Sequence, residues 1–180
     1  GFVEERFENV GPVLGKDLTK KAIIAMVLAS VAIILYIAYA FRNVPKPASS
    51  WRFGVIAVIT LLHDVFITLG AFAILGHWSG YEVDSLFVTA LLTIMGFSVH
   101  DTIVVFDRLR ENLSKTVLNK PEQFEKVADN SLVQTLNRSL NTSITVILVL
   151  LSMALLGGET IRPFVVALLV GITFGTYSSI

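Results

Sequence analysis

Asp101 stands in the run Gly96-Phe97-Ser98-Val99-His100-Asp101-Thr102-Ile103-Val104-Val105-Phe106, an apolar stretch that suits a membrane interior. A carboxylate near the centre of a bilayer costs roughly 2.5–3.5 kcal/mol on insertion scales. Such a residue persists where it has a charged partner, a cavity or a proton to exchange. Arg138, in a later apolar span, comes at a similar distance from the membrane centre, and Asp64 occupies the centre of an earlier span. Two carboxylates and a guanidinium inside apolar helices can bind and release protons, because a nearby opposite charge favours the ionised carboxylate and desolvation opposes it. His63 and His100 directly precede the two aspartates. Histidine titrates near neutrality and can pass protons. Adjacent helical residues point about 100° apart, so each histidine equally suits a hydrogen bond to a neighbouring helix.

The elements that position these residues are helices. The 180 residues are 54% hydrophobic and only 16% charged, with a mean hydropathy of +0.73. Soluble domains run near 25% charged, so the composition is that of an integral membrane protein. The apolar residues fall into five blocks, each long enough to span a hydrocarbon core of about 30 Å. The predicted spans are 21–41, 51–76, 85–106, 131–156 and 161–180. Residues 1–20, polar and acidic, read as the tail end of an extracytoplasmic domain and a lead-in. No signal peptide is expected, since the first apolar block starts at Ala22 behind charged residues. Segment 107–130 is expected to be cytoplasmic, with a short amphipathic helix opened by Pro121 that places Phe124, Val127 and Ala128 on one face.

The loops at 42–52 and 107–130 carry eight Lys or Arg, and the opposite side five. The positive-inside rule makes those loops cytoplasmic and the N-terminal tail extracytoplasmic. Trp51, Trp78 and Tyr81 fall at expected interfaces, where aromatic belts form. Net charge is zero, so no bulk attraction to nucleic acid is expected. No cysteine is present, and no nucleophile–base set, phosphate loop or cofactor motif appears, so neither an enzyme nor a cofactor is expected. No pair of histidines or carboxylates has metal-ligand spacing on one helical face.

The fourth span carries a polar stripe. Gln134, Arg138, Asn141 and Thr145 recur at helical spacing, broadened by Asn137, Thr142 and Ser143. Amides in hydrocarbon need partners, so this stripe is expected to line a water-accessible crevice or to bond to another helix. If the third and fourth spans pack together, Asp101 and Arg138 can pair. Asp107, Arg108, Arg110 and Glu111 close the third span at its cytoplasmic end, at spacings that allow local ion pairs. Gly171 and Gly175 form a GxxxG, expected to serve close packing within the chain.

The run from Gly96 to Phe106, continued by Asp107-Arg108-Leu109-Arg110-Glu111-Asn112, resembles the signature of the SecF family of protein-export membrane proteins. Leu62-His63-Asp64, Val10-Gly11-Pro12, Gln134-Thr135-Leu136-Asn137-Arg138-Ser139 and Gly175-Thr176-Tyr177-Ser178-Ser179-Ile180 fit it too. The resemblance implies an all-α membrane fold: five of the six transmembrane helices of a resistance-nodulation-division-type half. It implies an auxiliary role in the Sec translocase of a bacterial or archaeal cytoplasmic membrane, driven by the proton-motive force. The partners implied are SecD (separate or fused), the SecYEG channel with its SecA motor, and the translocating preprotein. It places Asp101, Arg138 and Asp64 in a proton pathway, and Asp107 and Arg108 at the motif's cytoplasmic end. His100 stands where many members carry Asn, which leaves the bonding around Asp101 open. An efflux pump of the same superfamily and a passive translocon scaffold are the alternative readings.

Overall fold

The computed structural model describes residues 12–46, 48–81, 83–116 and 121–180. The expectation of a polar tail over residues 1–11 lies outside them. Five long helices follow: α1 (Pro12–Ala40), α2 (Ser50–Ser79), α3 (Ser85–Lys115), α4 (Pro121–Leu156) and α5 (Arg162–Ser178). A single 3-10 turn, Glu159–Ile161, leads into α5, and Pro163 occupies its first turn, where a missing N–H is no loss. All five helices are long and apolar enough to cross a membrane.

Two boundaries differ from those expected. The first helix begins at Pro12, so 12–20 continue the apolar span as helix. The fourth helix is continuous from Pro121, with no break near residue 131. Nothing between Phe124 and Ser131 can stop a helix. Val127, Ser131 and Thr135 form one buried row, and Ser131 Oγ donates to the Val127 carbonyl at 2.6 Å. The turns are local chemistry. Gly80 ends α2 in the left-handed region at φ 69°, its N–H reaching the Gly76 carbonyl. The Asp84 carboxylate accepts the Phe87 N–H at 2.8 Å and so caps α3.

Helix α3 is the hub, packed against each of the other four helices, whereas α1 stands at the periphery. One cluster centres on Leu61, Phe87, Ile94, Val165 and Ile172, with Phe72 stacked on Phe87 at 4.1 Å. A second lies at the predicted cytoplasmic end, where Phe53 stacks on Phe106 at 4.4 Å and Phe41 meets both edge-on. There Arg110 pairs with Asp107 at 2.8 Å and stands over the Phe41 ring. Asn112 ties α3 to α4, donating to Ser131 Oγ at 2.9 Å and Gln134 Oε1 at 3.2 Å. Leu28, Phe66, Leu148 and Leu156 are exposed, the pattern of a surface that faces lipid.

Lipid is as apolar as leucine, so helices in a membrane associate through close packing and hydrogen bonds. Of the GxxxG glycines, Gly171 serves that purpose within the chain, as expected. Gly171 lets α5 press on α3: a Cβ there would come within 2.2 Å of Ile94 Cδ1 and 2.9 Å of Ile94 Cγ2. Ile94 is β-branched and buried, so it cannot swing clear. Gly171→Ala should therefore destabilise the bundle by about 1–3 kcal/mol, read as a lowered midpoint of thermal unfolding in detergent.

Candidate functional site: a buried polar layer across four helices

Asp64 is the fifteenth of thirty residues in α2, and only 1% of it is exposed. Its Oδ2 accepts the Ser98 hydroxyl of α3 at 2.6 Å, and its Oδ1 lies 3.1 Å from His63 Nδ1. Gly175 of α5 packs beside it: a Cβ there would stand 3.4 Å from Asp64 Oδ2, an ordinary contact. Ser98, Asp101, Thr102 and Val105 share the buried face of α3. Thr102 reaches the hydroxyl of Ser179, just past the end of α5, at 3.2 Å.

Asp101 is 3% exposed, and its Oδ2 has no hydrogen-bond partner among the described residues. Its electrostatic neighbours are His100, Arg138 and the Ser143 hydroxyl of α4. The Ser143 hydroxyl also meets that of Thr176 of α5 at 2.6 Å, so it stands between α5 and Asp101. Ser139 Oγ, one turn away on the same buried face of α4, is likewise without a partner among the described residues.

The third and fourth spans do pack together. Asp101 and Arg138 nevertheless make no ion pair among the described residues. The register explains this. Helices α3 and α4 run antiparallel, with Asn112 opposite Ser131 and Gln134. Counting back from there puts Ser143 opposite Asp101 and leaves Arg138 about one turn nearer the Pro121 end of α4. Arg138 opens instead on a cleft of about 370 Å³, lined also by Tyr36, Val104, Asp107, Arg108 and Glu111. Asp107 and Arg108, expected at a solvated helix end, thus share a cleft with Arg138. Each has a local partner, Arg110 and Glu111 respectively, at 2.8 Å.

The polar stripe of α4 resolves into two faces. Ser131, Thr135, Ser139 and Ser143 are buried. Gln134, Asn137, Arg138, Asn141 and Thr145 lie on the exposed face, with Thr142 between. Thr142 and Thr145 donate to carbonyls of their own helix, but Asn137, Arg138 and Asn141 make no side-chain hydrogen bond among the described residues. His100 is exposed, one step round α3 from Asp101. A broader crevice of about 760 Å³ runs between α2, α4 and α5, with His63, Ser143 and Thr176 in its lining. Among the described residues no group of three or more His, Asp or Glu could hold a metal ion.

Sequence reasoning placed Ser143 with the polar stripe of α4 and gave Ser98 and Thr176 no role. Their signal was present: small hydroxyl residues at i, i+4 spacing in apolar helices mark tight interfaces.

Five apolar helices around a buried layer of carboxylates and hydroxyls define a multi-pass membrane protein with ionisable groups inside its spans. The family model described as protein export membrane protein SecD/SecF, C-terminal, matches residues 2–180, and the chain belongs to that family. It is 55% identical to the protein translocase subunit SecF of Thermobaculum terrenum, over 99% of this chain and 55% of that protein. It is 48% identical to that of Anaerolinea thermophila, over 97% of this chain and 55% of that one. For the Synechocystis counterpart the identity is 43%, over 97% and 52%. The chain thus spans about half the length of the curated relatives it matches. A crystal structure of SecDF in its super-membrane-facing form superposes with a TM-score of 0.73 at 36% identity, over 94% of this chain and 20% of that one.

Proposed function

We propose that this chain is the proton-carrying base of a Sec translocase accessory subunit, one that couples the proton-motive force to preprotein export across the cytoplasmic membrane. Asp101 alternates between a protonated state and a charged state that pairs with Arg138. The side chains stand about one turn apart, and a modest slide of α4 along α3 would join or part them. SecD is the membrane partner, and SecYEG, SecA and the preprotein are the assembly served. The basic loops face the cytoplasm and the N-terminal tail faces outward.

One observation carries this reading: among the described residues Asn137, Arg138 and Asn141 make no side-chain hydrogen bond or ion pair, and they stand exposed on α4, within an apolar helix. Amides and a guanidinium at that depth need polar company. A second membrane subunit that presents a carboxylate toward Arg138 would satisfy them, and would complete a proton path that this chain holds only in part. An efflux pump gains no support, since the relatives are named as translocase subunits. Inverted membrane vesicles carrying the complete protein test the reading against a passive scaffold. A protonophore should remove the stimulation of preprotein release that the protein confers. Stimulation that persists without a gradient would leave only the scaffold.

A further inference from the structure

Asp64 poses a separate question. It lies at the middle of a membrane span, is almost wholly buried, and has no lysine or arginine facing it among the described residues. The elements packed against α2 are α1, α3 and α5. The described charges of α1 lie toward its outer end, at Asp17, Lys20 and Lys21. Helix α3 presents Ser98 to Asp64, with Asp101 one turn further along the same face. Helix α5 presents Gly175, with Tyr177 nearby in the crevice wall. A bare carboxylate in such a place is strongly disfavoured. Two hydrogen bonds orient it but do not neutralise it.

His63 supplies what is missing. Its Nδ1 is 3.1 Å from Asp64 Oδ1, and its side chain is 49% exposed, lining the crevice between α2, α4 and α5. With a single proton in that contact the pair is neutral overall. The proton sits either on Oδ1, donated to a neutral ring, or on Nδ1, donated to the carboxylate. Moving it between the two makes one bond and breaks one, and needs no other reactant.

We propose that His63 and Asp64 together hold a second exchangeable proton, distinct from the one carried at Asp101, with the His63 ring as its port to the crevice. Ser98 then joins the two sites mechanically. Its hydroxyl is bonded to Asp64, and it stands one turn from Asp101 on the same face of α3. A movement of α3 that serves Asp101 must pull on the Asp64 carboxylate as well. The inference uses the membrane placement argued above but does not depend on export.

Infrared difference spectroscopy of the complete protein in lipid vesicles, with pH steps in H2O and D2O, tests it. The parent should show a protonated-carboxyl C=O band from Asp64 that shifts in D2O. Asp64→Asn keeps a carbonyl to accept the Ser98 hydroxyl; it should lose this band and keep the one from Asp101. Asp101→Asn should do the reverse. His63→Gln should shift the pH midpoint of the Asp64 band. Spectra of Asp64→Asn that superimpose on the parent across the pH range would overturn the proposal, as would a midpoint indifferent to His63→Gln. If Asp64→Asn fails to fold, the half-exposed His63→Gln decides alone. A parent spectrum that shows the Asp64 band and none from Asp101 would count against the export reading and leave this one standing.

Discussion

Asp101→Asn should leave the five-helix fold in place and abolish the gradient-dependent share of export. The change is isosteric, so the packing of α3 against α4 and α5 is kept. The Ser143 hydroxyl keeps an oxygen to face, and the orphan Oδ2 becomes an amide nitrogen, which can donate to an acceptor on α4. What disappears is the ability to take up and shed a proton. One elementary charge crossing 100 mV is worth about 2.3 kcal/mol, or roughly a 50-fold bias on a two-state movement. Removing the carrier removes that whole bias and leaves the gradient-independent rate untouched. The check is export into inverted vesicles, measured with and without a protonophore for parent and variant. Gradient stimulation of normal size in the variant would sink the proton-carrier assignment.

Arg138→Leu is the second large effect, and its two consequences have opposite signs. Arg138 has no ion-pair partner among the described residues and opens on the cleft of about 370 Å³. An arginine at membrane depth costs about 2.5–3.5 kcal/mol on insertion scales, whereas leucine is mildly favourable. The isolated chain should therefore gain up to about 3 kcal/mol of stability in lipid, seen as a raised unfolding midpoint. Export should lose its gradient dependence as fully as with Asp101→Asn, because the charged state of Asp101 has lost its counter-charge. Arg138→Lys should recover part of it, since the charge remains and the planar fork does not. A variant less stable than the parent would mean that Arg138 is held by a partner within this chain, and the outward-facing reading would fall.

Helix order was legible because five apolar blocks separated by Gly-, Pro- or charge-rich turns leave little choice. The burial of Asp101 and Asp64 was legible too, since a carboxylate among Val, Ile and Phe cannot face lipid. The direction of the α4 stripe was not. Helical periodicity groups Gln134, Arg138 and Asn141 on one side, but it cannot say whether that side faces this chain's other helices or something else. The inner side is held by Ser131, Thr135, Ser139 and Ser143, which hydropathy counts as polar although packing treats them as small. The Asp64–Ser98 bond spans 34 residues of chain. Helix order alone cannot supply the register between α2 and α3 on which that bond depends.

The inner side of α4 also has a mechanical meaning. Between Ser131 and Ser143 its fully buried side chains are all serine or threonine, whereas at Leu150 a full-sized side chain joins the main apolar cluster. A surface of such short teeth resists axial sliding far less than interlocked leucines do. Helix α4 therefore has a low-friction stretch beside Asp101 and an anchored stretch toward Leu156. Displacement is easiest where Arg138 would have to travel, and the Leu150 end acts as the bearing that keeps the stroke in line.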